Sequence, residues 1–305
     1  MDTLKQGERW TRDRDLFVER AKELRADVLV ESAEGDAAKQ QQLADSLLER
    51  GVQALVVVPH NAETAGAIVA AAKKKNVGVI SYDRLILKAD IDLYLSYDNR
   101  MVGQQQAQFL RNRAPKGNFV LIGGAPTDHN AKLIREGQMA ALEDATKRGD
   151  IKVVADGWAE DWQADAALKL TEEALKKAKN QVVAVVASND VTAGGVVQAL
   201  EKQGLAGKVL VSGQDANLDA IRRIVAGTQA MTVYKPLRPL AREAAQSAVQ
   251  MAKGEKVEGT STVNNGLKDV QAVLWNPVII HKDTVLILIN DRFYTKEQVY
   301  AAGTK

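Results

Sequence analysis

Short apolar runs alternate with longer amphipathic stretches along most of the chain. The runs are three to five residues long, rich in β-branched side chains, and lie at 26–30, 54–58, 77–81, 93–96, 119–122, 151–154, 182–186, 209–211 and 231–234. Near-continuous apolar runs of this length are typical of strands that a parallel sheet buries on both faces. The pattern therefore predicts a strand at each of these positions.

The stretches between the runs have helical periodicity. Within 37–50, for example, Leu43, Leu47 and Leu48 fall on one side of a helix. The same spacing predicts further helices at about 9–24, 62–75, 131–147, 164–179, 192–203 and 237–253. Alternation of strand and helix indicates right-handed βαβ units, hence an α/β fold with doubly wound parallel sheets.

The 305 residues exceed what one hydrophobic core usually holds, so two lobes are expected. The strand–helix series ends near 98–103 and begins again at 117–119, while Pro236 and Asn276-Pro277 interrupt the chain later. We predict an N-terminal lobe of 1–103 plus about 237–274. The C-terminal lobe is then about 104–236 plus 275–305, and several crossings form a hinge.

The start of the chain departs from this scheme. The first helix, at about 9–24, has no strand before it, and Met1 leads straight into polar residues with no secretory signal. We interpret the chain as shortened, so that the first strand of the N-terminal lobe is missing. The vacant place would be filled by rearrangement, by a separate peptide or by a neighbouring chain, and the last alternative predicts strand-exchanged self-association.

Composition and the absence of certain motifs argue against several classes of function. The net charge is only +2, with 41 basic residues spread among 39 acidic ones, which argues against nucleic-acid binding. No cysteine is present, and the three histidines, His60, His129 and His281, lack metal or triad spacing. No G-x-G-x-x-G follows an early strand, and no G-x-S-x-G occurs. We therefore expect a protein that is not an enzyme and that has no cofactor or metal.

Polar side chains follow nearly every predicted strand. Ligands of open α/β sheets bind at the carboxyl ends of strands, where these side chains lie. Carboxylates, cations and amides suit sugar hydroxyls, which both donate and accept hydrogen bonds, and indoles suit the C–H face of a sugar ring. Each residue also has a structural alternative: Asp128 or Asn189 as a helix cap, Trp162 as core packing, and Arg84 as a solvated loop charge. The residues alone indicate only a small polar ligand.

The same loops resemble those of the type I periplasmic sugar-binding proteins, specifically the D-xylose branch that serves ABC transporters. The matching segments include Glu8-Arg9-Trp10, Tyr82-Asp83-Arg84, Pro126-Thr127-Asp128-His129-Asn130, Ser188-Asn189-Asp190, Gly213-Gln214-Asp215-Ala216 and Thr232-Val233-Tyr234-Lys235-Pro236. The likeness runs from Glu8 to about Tyr294.

The resemblance implies a Venus-flytrap protein, periplasmic or membrane-associated outside the cell, that closes on a free pentose. It implies nine ligand-binding residues: Arg9, Asp83, Arg84, Asp128, Asn130, Trp162, Asn189, Asp215 and Lys235. It places Arg9, Asp83 and Arg84 in the first lobe, Lys235 at the junction and the rest in the second. The implied partner is an ABC permease. Alternatives are a sensor module that presents xylose to a membrane histidine kinase, and the effector-binding core of a LacI-type repressor.

Overall fold

The structure is a computed structural model that describes residues 1–4 and 9–300. Glu8, part of one segment quoted above, therefore lies outside the described residues. The strands in the described part are β1 Ala54–Val57, β2 Gly78–Tyr82, β3 Leu93–Tyr97, β4 Gly117–Gly123, β5 Ile151–Trp158, β6 Ala184–Ala187, β7 Leu210–Val211, β8 Thr232–Tyr234, β9 Ser261–Asn264, β10 Asp269–Trp275 and β11 Val278–Ile280.

The helices that connect or follow these strands are mostly longer than three turns. They are α1 Arg9–Glu23, α2 Ala37–Glu49, α3 Gly66–Lys74, α4 Asn99–Arg113, α5 His129–Lys147, α6 Ala164–Lys177, α7 Asp190–Lys202, α8 Leu218–Ala226, α9 Leu237–Ala252, α10 Leu286–Asn290 and α11 Lys296–Tyr300. Within residues 1–4 and 9–300, each helix is too short or too polar to traverse a lipid bilayer.

The chain divides into two compact units. Unit 1 contains Met1–Asp98, Thr127–His129 and Pro236–Asn276, and unit 2 contains Asn99–Pro126, Asn130–Lys235 and Pro277–Lys305. The return of 127–129 to unit 1 was not anticipated from the sequence.

Unit 1 is built on a five-stranded sheet in the order β1-β2-β3-β10-β9. The first three pairs are parallel, and β9 joins β10 as an antiparallel edge. One face packs against α2 and α3 through residues such as Leu55 and Val57. The other face packs against α1 and α9, with Trp10 and Leu240 in that core.

Unit 2 is built on a four-stranded parallel sheet in the order β5-β4-β6-β7. Its two faces carry separate apolar cores, one centred on α6 and α7 and the other on α4 and α5. A smaller antiparallel pair, β8 with β11, packs with α8 and the C-terminal helices. The predicted α/β class with doubly wound parallel sheets is confirmed.

One predicted strand is wrong. Residues 26–30 carry the apolar, β-branched run of a strand but adopt no regular secondary structure. A strand is stabilised by ladder partners, and this segment has none because β1, the edge of the sheet, is hydrogen-bonded only to β2.

Candidate functional site

The carboxyl end of β2 gathers four of the residues that the sequence singled out. Arg9 opens α1, Asp83 and Arg84 follow β2, and Asp128 lies in the short segment of unit 1 at 127–129. All four are buried. Asp128 had been placed in the second lobe; it belongs to unit 1, where its Oδ2 lies 2.8 Å from Arg84 Nε.

Asp83 is held in an unusual backbone conformation. Its φ of 60° lies in the left-handed region, which costs energy for a side chain other than glycine. Its N–H donates to Leu95 O at 2.7 Å, and its carbonyl accepts from Ser96 Oγ at 2.6 Å and Tyr94 Oη at 3.1 Å. These three hydrogen bonds with residues of β3 fix the turn and therefore the direction of the Asp83 carboxylate.

Arg9 ties helix α1 to this turn. Its Nη2 donates to Asp83 Oδ2, and its Nε lies 3.3 Å from Asp13 Oδ2, one helical turn along α1. Asp13 in turn accepts a hydrogen bond from the hydroxyl of Tyr82. Burial first, and then the neighbouring Asp13, raise the pKa of Tyr82 well above its ordinary value, so the phenol remains a donor.

Arg84 occupies the centre of a second set of contacts. Its Nη1 donates to Asp2 Oδ2 at 2.6 Å and to Pro59 O at 3.2 Å, in addition to its ion pair with Asp128. His60 Nδ1 lies 2.9 Å from the other oxygen of Asp2. Burial disfavours the charged guanidinium and lowers the pKa of Arg84, but the negative charges of Asp128 and Asp2 together have the larger effect. The pKa of Arg84 is therefore raised.

The indole of Trp10 lies beneath both arginines. The Cζ atoms of Arg9 and Arg84 are 4.7 and 5.5 Å from its ring centroid, within cation–π range. We call Asp2, Arg9, Asp13, Asp83, Arg84 and Asp128 the unit 1 charge cluster. Its four carboxylates face two guanidinium groups, so the cluster has acceptor capacity for hydroxyl protons of a ligand.

In unit 2, Asp215 in the loop after β7 lies beside Lys235, which directly follows β8. Lys235 Nζ lies 3.4 Å from Asp215 Oδ1, and Lys235 is only 2% exposed. Asp215 has a φ of 93°, and its N–H donates to Val233 O at 2.8 Å. A buried ammonium beside a carboxylate offers donors and acceptors to one hydroxylated ligand.

Asn189 has the cap role that was considered for it. Its Oδ1 accepts from Thr192 N at 2.9 Å and caps α7, while Asn189 N donates to Thr192 Oγ1 at 3.2 Å. This fixes the side chain and commits its oxygen, so the amide NH₂ is the group that Asn189 can offer to a ligand. Asn130, in the first turn of α5, is also buried.

Trp162 does not lie inside a regular helix. It ends a short 3₁₀ turn, Glu160–Trp162, in which both Asp161 and Trp162 have positive φ. Its ring lies directly on Gly124, where an added Cβ would come within 2.2 Å of the indole. Its Nε1 is buried and has no hydrogen-bond partner in the described part of the chain. The ring also contacts the apolar core behind β4. Trp162 can therefore pack against this core and still contact a ligand.

Asp190 holds the loop of Asp215 in place, although it is not among the nine predicted ligand-binding residues. Its Oδ1 accepts from Gln229 Nε2 at 2.9 Å, and its Oδ2 accepts from Asn217 N at 2.9 Å and Thr232 Oγ1 at 3.0 Å. It thus fixes the loop of Asp215 to β8. Burial raises the pKa of Asp190 to about 7, although Arg223 and these donors act in the opposite direction.

Asp2, Asp13 and Gln214 were likewise not selected from the sequence. Asp13 could have been found from its i, i+4 spacing to Arg9, which puts both on one face of α1. Gln214 directly precedes Asp215; its Oε1 is buried and unbonded among the described residues. No group of three or more His, Asp or Glu side chains in residues 1–4 and 9–300 is arranged to hold a metal.

Residues 4–256 match the periplasmic binding protein domain family, and the chain belongs to it. Among its relatives are two D-xylose-binding periplasmic proteins. The one from Haemophilus influenzae is 49% identical over 294 residues, which cover 96% of this chain and 89% of the relative. The one from Escherichia coli is 47% identical over 293 residues, with the same coverage.

Solved structures of sugar-bound transport proteins are also similar. A carbohydrate transporter solute-binding protein from Chloroflexus aurantiacus in complex with D-glucose gives a TM-score of 0.90 at 29% identity, covering 96% of this chain and 95% of that one. An ABC transporter solute-binding protein from Clostridium phytofermentans with bound β-D-glucose gives 0.89 at 27% identity, with 98% of each chain covered. The predicted membership of the type I periplasmic sugar-binding class is confirmed.

Proposed function

We propose that this chain is the sugar-capturing subunit of a periplasmic uptake system, that its ligand is a free pentose, D-xylose, and that it delivers the sugar to an ABC permease. The observation that carries the proposal is the buried unit 1 charge cluster, in which four carboxylates face two guanidinium groups. Relatives at 47–49% identity that are D-xylose-binding periplasmic proteins support the choice of sugar and the periplasmic location.

The chemistry of the nine predicted residues suits a small ring with several hydroxyls. Carboxylates of Asp83, Asp128 and Asp215 accept hydroxyl protons, while the arginines, Lys235, Asn130 and Asn189 donate to hydroxyl and ring oxygens. The indole of Trp162 is assigned to the C–H face of the ring. Each charge-assisted hydrogen bond contributes about 1.5–3 kcal/mol net, and a ligand without those hydroxyls leaves buried groups without a partner.

The proposed cycle is a closure of two lobes on the sugar. The chain passes between the two units at 98–99, 235–236 and 276–277, apart from the short return at 127–129, so several connections form the hinge. A sugar that binds the closed form more tightly than the open form shifts the population toward the closed form. The permease then distinguishes loaded from empty protein by recognising the closed form.

Calorimetric titration with xylose, ribose, arabinose, glucose and galactose tests the proposal. Xylose is expected to bind at least about tenfold more tightly than the other four, since a specifically hydrogen-bonded site penalises a missing or misplaced hydroxyl. Equal affinity for all five sugars, or no binding of xylose, would contradict it. Chromatography of the recovered sugar gives unchanged xylose if the protein binds without catalysis.

A pair of variants tests the assignment of Asp215. Asp215→Ala removes the carboxylate beside buried Lys235 and should weaken xylose binding at least about tenfold. Asp219→Ala is the matched control, because Asp219 lies in nearby α8 with a side chain 82% exposed. Equal affinities of the two variants would exclude Asp215 from the site.

A further inference from the structure

A fully buried side-chain amide lies between two of the loops that follow the strands of unit 2. Gln106 of α4 and Gln138 of α5 are both 0% exposed. The Nε2 atom of Gln106 donates to Ser188 O at 3.0 Å and to Gly213 O at 3.0 Å. Ser188 directly follows β6, and Gly213 lies in the loop after β7. One side chain therefore bonds to both loops, and we call these two contacts the Gln106 bridge.

The two loops need a donor between them at this level. The ladder between β6 and β7 is only two residue pairs long, and beyond it Asp190 N donates to Gln214 O at 3.0 Å. Ser188 O and Gly213 O lie between the ladder and that bond, and both are acceptors, so they cannot bond to each other. A buried group with two donors is required to satisfy both carbonyls, and Gln106 supplies it.

A primary amide is suited to this place because it has two N–H donors on one nitrogen and an acceptor oxygen. Oε1 of Gln106 accepts from Gln138 Nε2 at 2.8 Å, so the oxygen is directed away from the two carbonyls. Gln138 is itself fixed: its Nε2 donates to Ser188 Oγ at 3.3 Å, and its Oε1 accepts from Arg135 Nε at 3.0 Å. These contacts hold the Gln106 amide in one orientation.

The bridged carbonyls lie next to predicted sugar-binding residues. Asn189 directly follows Ser188, and Asp215 lies two residues after Gly213. The second loop is closely packed, since a Cβ added at Gly213 would lie 2.0 Å from Asp190 Oδ1. The positive φ of Asp215 is a conformation that persists only where its surroundings hold it. Loops that are fixed before the ligand arrives lose less conformational entropy when it binds.

We propose that Gln106 is a positioning residue for sugar binding. It acts through the loops after β6 and β7, which its amide joins, and it thereby holds Asn189 and Asp215 at the spacing that the sugar requires. This inference rests on the proposed function as far as the sugar is concerned. The Gln106 bridge itself is a property of unit 2 and is tested without ligand.

The first experiment measures amide hydrogen exchange in the full chain without sugar. Gln106→Met keeps the length of the side chain but removes both donors. The amides of Asp190 and Asp215, which donate to Gln214 O and to Val233 O, belong to the two loops. Both should exchange at least about tenfold faster in Gln106→Met, because local opening of the loops becomes easier. Unchanged exchange would overturn the proposal, whether or not the chain binds xylose.

Thr171→Val is the matched control for the loss of a buried hydrogen bond elsewhere in unit 2. Thr171 is 0% exposed, and its Oγ1 donates to Ala167 O at 2.7 Å within α6. This variant should leave the exchange of the two loop amides and the affinity for xylose within about twofold of the unsubstituted chain. Equal effects of Thr171→Val and Gln106→Met would show a general loosening of unit 2 and would overturn the positioning role.

The second experiment connects the Gln106 bridge to the sugar by calorimetric titration with xylose. Gln106→Met should weaken binding about tenfold in the otherwise unsubstituted chain. In the Asp215→Ala background the same change should cost only about threefold, since one of the two positioned side chains is then absent. An equal factor in both backgrounds, or unchanged affinity despite faster exchange, would overturn the positioning role. Failure of the unsubstituted chain to bind any sugar would contradict the proposed function, and the exchange result then decides on the Gln106 bridge alone.

Discussion

Removal of the Arg84 guanidinium should destabilise unit 1 because Arg84 serves two buried carboxylates. In Arg84→Met the side-chain volume is largely retained, but Asp2 and Asp128 both lose their guanidinium partner. Loss of one member of a buried ion pair costs about 3–5 kcal/mol. Asp2 keeps His60 at 2.9 Å, so we expect the lower end of that range, about 3 kcal/mol at pH 7.

The stability loss of Arg84→Met should depend on pH in a direction that a general disruption of folding would not produce. Burial would raise the pKa of Asp2, but His60 and Arg84 together lower it. A carboxylate with a lowered folded pKa contributes stability above its unfolded pKa of about 3.9, and that contribution is lost as the pH falls further. The cost of Arg84→Met should therefore shrink as the pH falls below about 4 toward the lowered folded pKa of Asp2, because the stabilising contribution of that carboxylate is lost over this range.

Urea denaturation without sugar measures the free energy of unfolding at pH 7 and pH 3.5. Lys88→Met is the matched control: its ion pair with Glu63, at 3.4 Å, joins side chains that are 68% and 62% exposed. Such a surface pair should cost less than about 0.5 kcal/mol. A loss for Arg84→Met below about 1 kcal/mol, or one of equal size at both pH values, would refute the buried-pair reasoning.

Two further perturbations concern unit 2. Gly124→Ala should push the Trp162 indole from its position, since the new Cβ would lie 2.2 Å from the ring. We expect a stability loss of about 1–3 kcal/mol and a shift of tryptophan fluorescence, and an unchanged spectrum would argue against the contact. Asp190, whose pKa is raised to about 7 by burial, contributes stability below its unfolded pKa that is lost as the pH rises through about 7. The free energy of unfolding of the unsubstituted protein should therefore fall between pH 5 and pH 8, and in Asp190→Asn this fall should be smaller by about 2 kcal/mol. An equal pH dependence of the unfolding free energy in the two proteins would contradict this prediction.

Local sequence patterns correctly predicted apolar strands that pair within a sheet. They failed where the presence of a strand depends on a neighbouring strand and not on its own sequence. The runs at 54–58 and 182–186 became β1 and β6, each within a parallel sheet. The equally apolar run at 26–30 did not, because a strand requires a neighbour and no pattern within five residues encodes one. Conversely, β9 is a polar, mostly exposed edge without an apolar run, so only its pairing with β10 identifies it.

In the candidate site, too, the sequence predicted some residues but not the contacts that depend on the folded structure. Asp83, Arg84 and Asp215 could be predicted from the sequence because they lie in loops that follow strands, where the loops of an α/β sheet converge. The contact of Asp2 with Arg84 joins positions 82 residues apart, and no spacing rule predicts it. The backbone of Trp162 was also unpredictable, since two consecutive positive φ values at Asp161 and Trp162 replace the expected helix.

The cost of the unit 1 charge cluster bears on its role. Buried ion pairs rarely stabilise a protein more than apolar side chains of similar volume, because desolvation offsets the attraction. Here two guanidinium groups, four carboxylates and a left-handed Asp83 lie together in unit 1, and each arginine is held by at least two partners. If the cluster served stability alone, an apolar core would serve it better. If it serves a polar ligand, folding has already desolvated and oriented the groups, so that binding does not bear this cost again.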